Sequence, residues 1–172
     1  MHMRRIGGAY LMDTARVLGD VTLGEDTNLW CGAAVRGDVA PVTIGARCNL
    51  QDGVIVHCDD DVPLAIGDDV SMGHGAIVHC VSVGDGTLVG IGASILEGCE
   101  LGPGCLIAAG TVVPPRTVVP AGMVVMGVPG RIARPVRPEE AAYLRMIPGR
   151  YMKLARLHHE RPDDPRTRPY CG

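Results

Sequence analysis

The chain has 172 residues, a hydrophobic share of 47% and a formal net charge of −3. That suffices for one domain with a real core, and the charge gives no electrostatic reason to expect nucleic acid or an anionic membrane as partner. No apolar run approaches the roughly 20 residues of a membrane span. Met1-His2-Met3-Arg4-Arg5 leads into no apolar segment of the signal-peptide kind. The seven cysteines form no CxxC pair and are odd in number, which argues against a zinc knuckle or a closed disulfide framework and fits a reducing cytoplasm. With 24 Gly, 13 Pro, one Trp and no Phe, the chain must turn often and bury aliphatic side chains.

A six-residue period organises the chain. Aliphatic residues recur as Val17, Leu23, Leu29, Val35, then Ile44, Leu50, Val56, then Ile66, Met72, Val78, and finally Val83, Val89, Ile95, Leu101, Ile107, Val113, Val119, Val125. The next residue is often Gly, as at Gly24, Gly45, Gly67, Gly73, Gly84, Gly90 and Gly102, which suggests corners of unusual φ. The residue four along is usually small, among them Ala33, Ala76, Ala93, Cys99 and Cys105. Breaks at Asp38–Thr43 and Asp59–Ala65 read as loop insertions, and one near Ser82 as a deletion.

This pattern is similar to that of the hexapeptide-repeat family, and over residues 11–130 it implies an all-β, left-handed parallel β-helix of about six coils, three hexads to a coil. The repeat ends near Gly127-Val128-Pro129-Gly130. Pro138-Glu139-Glu140 starts a helix over 138–160, packed along the prism and broken into two pieces at Pro148-Gly149. The tail, 161–172, is Pro-rich and charged, and loose order is expected.

On this register Arg36, His57 and His79 form one outward column, and coils about 4.8 Å apart stack His57 on His79 so that both imidazoles can converge on one ion. His74 lies on another face above Asp52 and beside Gln51. It reaches the ion of a neighbour if three prisms pack in a closed heterologous ring. Cys58 and Cys80 follow the stacked histidines, where a thiolate ligand is conceivable, and read more simply as structural thiols. His158 and His159 read as solvated cations at a helix end.

Arg36-Gly37-Asp38, Asn49-Leu50-Gln51-Asp52, His57 and His74-Gly75-Ala76-Ile77-Val78-His79 together resemble the signature of γ-class carbonic anhydrases. The resemblance implies a homotrimer in which His57, His74 and His79 bind Zn²⁺, with Fe²⁺ or Co²⁺ as alternatives, at sites between subunits. It implies that Gln51 bonds the bound water or the small-molecule substrate, that Arg36, Asp38 and Asp52 form an orienting ion-pair network, and that Tyr151 reaches the pocket from the helix. The implied reaction is reversible hydration of CO₂ by a metal-bound hydroxide, the cation lowering the water's pKa toward roughly 7. Val39 stands where well-studied members carry a glutamate, and Asp59, Asp60 and Asp61 are the candidate substitutes for a proton relay. The competing readings are a metal-dependent hydrolase of a small acyl ester or thioester, and a non-catalytic metal-binding trimeric subunit. A hexapeptide acyltransferase would leave the three-histidine set without a use.

Overall fold

The computed structural model describes residues 2–168. The aliphatic period becomes three columns of parallel strand pairs. On the first face Val17, Val35, Val56, Val78, Ile95 and Val113 pair in turn. On the second the order is Leu23, Ile44, Ile66, Val83, Leu101 and Val119. On the third, Leu11 extends the series Leu29, Leu50, Met72, Val89, Ile107 and Val125. A parallel β-helix of about six coils results. We call the first the histidine face and the third the helix face.

From the second coil onward these aliphatics are buried into one continuous core, each worth about 1.5–3 kcal/mol of apolar burial. Val17 is the exception, 37% exposed, because the strand Arg16–Leu23 is paired only on its upper side. The small-residue column fills the corners: Ala33, Ala76, Ala93, Cys99 and Cys105 are all fully buried.

The glycines after the aliphatics have a different cause from the one expected. Their φ is ordinary; what they meet is the next coil. A Cβ at Gly84 would lie 2.4 Å from the Pro103 nitrogen, and one at Gly90 2.6 Å from that of Ala109. Positive φ occurs two residues later, as at Gly92 and Gly110, where the corner turns.

The Asp38–Thr43 insertion is likewise not a loop. Ala34–Ile44 is one eleven-residue strand that crosses from the histidine face to the second face. It pairs below with Arg16–Leu23 and above with both Ile55–His57 and Leu64–Ile66, and these ladders flank Asp38–Pro41, which have no ladder partner of their own and form a bulge within the strand. Of Asp59–Ala65, residues 59–63 do leave the wall while Leu64 and Ala65 are already back in the strand Leu64–Ile66, and the step from Val78 to Val83 is one residue short.

Hairpins close both ends of the helix face. Met3–Ile6 pairs antiparallel with Ala9–Met12, and Met123–Gly127 with Gly130–Pro135. The helix Pro138–Glu160 then runs back along the helix face. Its 23 residues span about 35 Å, and the six rung spacings from Val125 to Leu11 amount to about 29 Å, so one helix covers the whole face. It is unbroken, contrary to the expectation of two pieces. Pro148 forfeits one backbone bond, but Leu144, Ile147 and Pro148 are buried against the wall, and that packing holds the helix through the proline. Its start is fixed by Glu140, which accepts from the Arg137 backbone N–H at 2.8 Å and from both Arg134 Nη atoms at 2.8 and 2.7 Å.

At the far end Trp30 anchors the helix. Its indole Nε1–H donates to Asn28 at 2.8 Å, and its ring meets Tyr151 and His158 edge-on at 5.8 and 5.2 Å. His158 is therefore a docking residue and not a solvated one, whereas His159 stays exposed as expected. Burial lowers the pKa of His158, and His159 Nδ1 lies 3.2 Å from the Met3 carbonyl. The tail continues in turns to Arg168, with Thr167 donating to the Arg161 carbonyl at 2.6 Å; the remainder of the expected loose tail, 169–172, lies outside the described residues. No helix among the described residues is long and apolar enough to cross a membrane.

Candidate functional site

The register places His57 directly over Arg36 and under His79, whose neighbours pair Ile77 with Ile55 and Val78 with Val56. The two imidazole centroids are 5.3 Å apart and their planes 36° from one another. Their side chains are 19% and 30% exposed, open enough to bind and covered enough to be oriented.

Carboxylates flank the pair. Arg36 Nη1 donates to both oxygens of Asp38 at 2.8 and 2.7 Å, and Asp38 accepts from His57 Nε2 at 3.2 Å. The Arg36 bond, followed by that of His57, holds the Asp38 carboxyl below the usual carboxylate range. Arg36 Nη2 lies 3.4 Å from His57 Nδ1; since guanidinium only donates, Nδ1 is the acceptor there. His79 Nε2 donates to Asp59 at 2.7 Å, which brings the first acid of the 59–61 loop onto the histidine itself. Val39 packs against the core from the strand Ala34–Ile44.

His74 stands apart, at the corner beyond the helix face. Its Nδ1–H donates to Asp52 at 2.9 Å, which fixes the tautomer and leaves the Nε2 lone pair directed away from its own carboxylate. Among the described residues of one chain, no three His, Cys, Asp or Glu side chains converge as a metal cluster would. The histidines thus form two half-sets, a stacked pair on one face and a single donor at another.

Sequence reasoning missed the floor beneath that single donor. Gln51, 6% exposed, donates from Nε2 to Asn49 at 3.1 Å, and Asn49 in turn donates to Ser71 at 2.6 Å. Asn28, Asn49 and Ser71 occupy outward positions that would be wet on a bare prism; the helix buries them, and hydrogen bonds make that burial tolerable, Asn49 with Ser71 and Asn28 with Trp30 and the Cys48 carbonyl. Tyr151 lines a cavity of about 370 Å³ together with Gln51 and His74. Burial, then the charge of Asp52, pushes its phenol pKa up, so it stays a proton donor at neutral pH.

Cys58 and Cys80 do not join the site. Cys58 is fully buried and its thiol donates to the Ala40 carbonyl at 3.2 Å. Burial drives the Cys80 pKa up to about 12, so a thiolate at neutral pH is strongly disfavoured.

Comparison with known proteins agrees with this architecture. The family profile "Bacterial transferase hexapeptide (six repeats)" matches residues 80–115. A crystal structure of a hexapeptide transferase family protein from Anaplasma phagocytophilum superposes with a TM-score of 0.83 at 31% identity, covering 88% of this chain and 89% of that one. The molecule is a hexapeptide-repeat protein. A probable carbonic anhydrase of Methanocaldococcus jannaschii is 43% identical over 82% of this chain and 89% of its own length. A carbonic anhydrase of Geobacillus kaustophilus is 37% identical over 87% and 82%. The chain belongs to the γ-class carbonic anhydrase-like family of hexapeptide-repeat proteins.

Proposed function

We propose that the protein is a carbonic anhydrase-like lyase that hydrates CO₂ reversibly to bicarbonate. Its centre lies between subunits of a homotrimer, His57 and His79 coming from one chain and His74 from the next. The observation that carries this reading is the division of the histidines into a stacked pair and a lone donor on a different face.

The residues fit a divalent cation. Three imidazoles are the donor set that zinc favours in hydrating enzymes, with Fe²⁺ and Co²⁺ as alternatives; the cation would take the place of the Nε2 protons that His57 and His79 donate to Asp38 and Asp59, whose charge favours it. The cation, when bound, acts as a Lewis acid that makes water acidic enough to attack CO₂ near neutral pH.

The chain's own residues do the rest. Asp52 holds His74 in the tautomer that offers Nε2. Arg36 clamps Asp38, which orients the His57 ring. Gln51, fixed through Asn49, and the protonated Tyr151 are placed to hydrogen-bond substrate and product oxygens. The proton released on hydration has a carboxylate available in the Asp59–Asp61 loop in place of an acid at Val39.

Stopped-flow CO₂ hydration on protein of measured metal content tests the proposal. Turnover above the uncatalysed rate is expected with Zn²⁺, Fe²⁺ or Co²⁺; inactivity with all three overturns it. Thioester turnover by such an inactive sample would identify a hydrolase, and inactivity on both a non-catalytic trimer. Mixing His57→Ala with His74→Ala chains should restore part of the metal content and activity, because an intact pair can meet an intact donor. Ligands drawn from one chain would give no recovery.

A further inference from the structure

The cavity between the helix and the helix face is far larger than a CO₂ site requires. Its 370 Å³ is about a dozen times the space one water takes and falls within the range of pockets that hold whole small organic molecules. The lining is two-sided. Leu88, Ile91, Leu106, Met146 and Ile147 make an apolar trough, with Ile91 57% and Met146 47% exposed. Arg150 stands at its rim, and among the described residues no carboxylate pairs with it. A neighbouring hollow shares Met146 and Arg150 and adds Lys153, so the mouth is cationic while the trough is apolar.

An apolar trough with an unpaired guanidinium at its edge complements one kind of ligand. We propose that this cavity binds a monocarboxylate with an apolar body, the carboxylate on Arg150 and the body along Leu88, Leu106 and Met146. Arg forms bidentate charge-assisted bonds with a carboxylate, and each methylene buried in the trough tightens binding by roughly four-fold. The site adjoins the proposed centre through Gln51 and His74 but needs neither metal nor turnover to fill.

Isothermal titration calorimetry of the full chain with acetate, butyrate, hexanoate and octanoate reads this directly. Octanoate is expected to bind at least about ten-fold more tightly than acetate. Arg150→Gln should weaken octanoate about five-fold or more while leaving 1-octanol nearly unchanged. Ala108→Phe, which places a ring in the trough, should abolish the dependence on chain length. Affinity that is flat across the series overturns the proposal, including flatness because a second copy occupies the trough in the assembled protein. Undiminished octanoate binding by a folded Ala108→Phe variant overturns it as well. Should that variant fail to fold, the chain-length series and Arg150→Gln still decide. A sample that binds octanoate selectively but never hydrates CO₂ sinks the lyase reading and leaves the pocket standing; the opposite pair of results does the reverse.

Discussion

The histidine face and the helix face are built from the same repeat and differ in one respect, cover. On the histidine face the strands end at the surface, and Arg36, His57 and His79 project from a bare wall beside the exposed Ile55 and Ile77. On the helix face the equivalent outward residues are sealed under the helix, where Asn49 and Ser71 are buried and hydrogen-bonded. Identical backbone geometry thus yields a face that presents ligands and a face that shapes a pocket. A solenoid needs both, because a flat wall cannot surround a reacting molecule by itself.

The largest expected effect comes from removing a ligand on the bare face. His57→Ala should lower metal content and cut CO₂ hydration by at least ~10³-fold, read by elemental analysis and stopped-flow. On the other side of the comparison, Asp52→Asn leaves all three histidines in place but releases the His74 tautomer. Metal affinity should fall about 10–100-fold in a chelator competition; an unchanged affinity would mean that His74 does not depend on this carboxylate.

Two smaller tests concern what supports the covered face. Gly90→Ala drives a methyl to 2.6 Å from the Ala109 nitrogen and should cost about 2–3 kcal/mol in urea unfolding. Gly110→Ala, at φ 68° with open space around it, should cost about 1–2 kcal/mol. Equal losses would refute the distinction between the two glycine columns. Glu140→Gln is the mildest. The Arg134 bond holds the Glu140 pKa at about 2, against an ordinary value of 4.5. A depressed carboxylate pKa stabilises the fold above its unfolded value, and that stabilisation disappears as pH falls through the folded one. The variant should therefore melt slightly below wild type at neutral pH, and the gap should close between pH about 4.5 and about 2.

Most of the prism was legible in the sequence because every rung repeats one environment, so Leu50 and Ile107 answer to the same constraint. The stacking of His57 on His79 was readable for the same reason, since register alone decides it. What escaped the sequence depended on contacts between distant segments. Pro148-Gly149 is a strong local signal for a break, and burial against the wall overrides it. Asn28, Asn49 and Ser71 look like ordinary outward residues until the helix covers them. His158 looks solvated until Trp30 is placed beneath it. The glycine column was found for the wrong reason: φ is a local property, whereas the approach of the next coil is not.

The match between helix and prism has an evolutionary consequence. Solenoids readily lengthen by duplicating a coil, since each new rung satisfies its neighbours' hydrogen bonds. Here the helix acts as a calliper. It is clamped at one end by Arg134 and Glu140 and at the other by Trp30, so an added rung would move those clamps apart by about 4.8 Å and require about three more helical residues. Those three residues would rotate the helix by most of a turn and carry Tyr151 out of the pocket. A repeat that could in principle grow without limit is held to a fixed count by the one element that does not repeat.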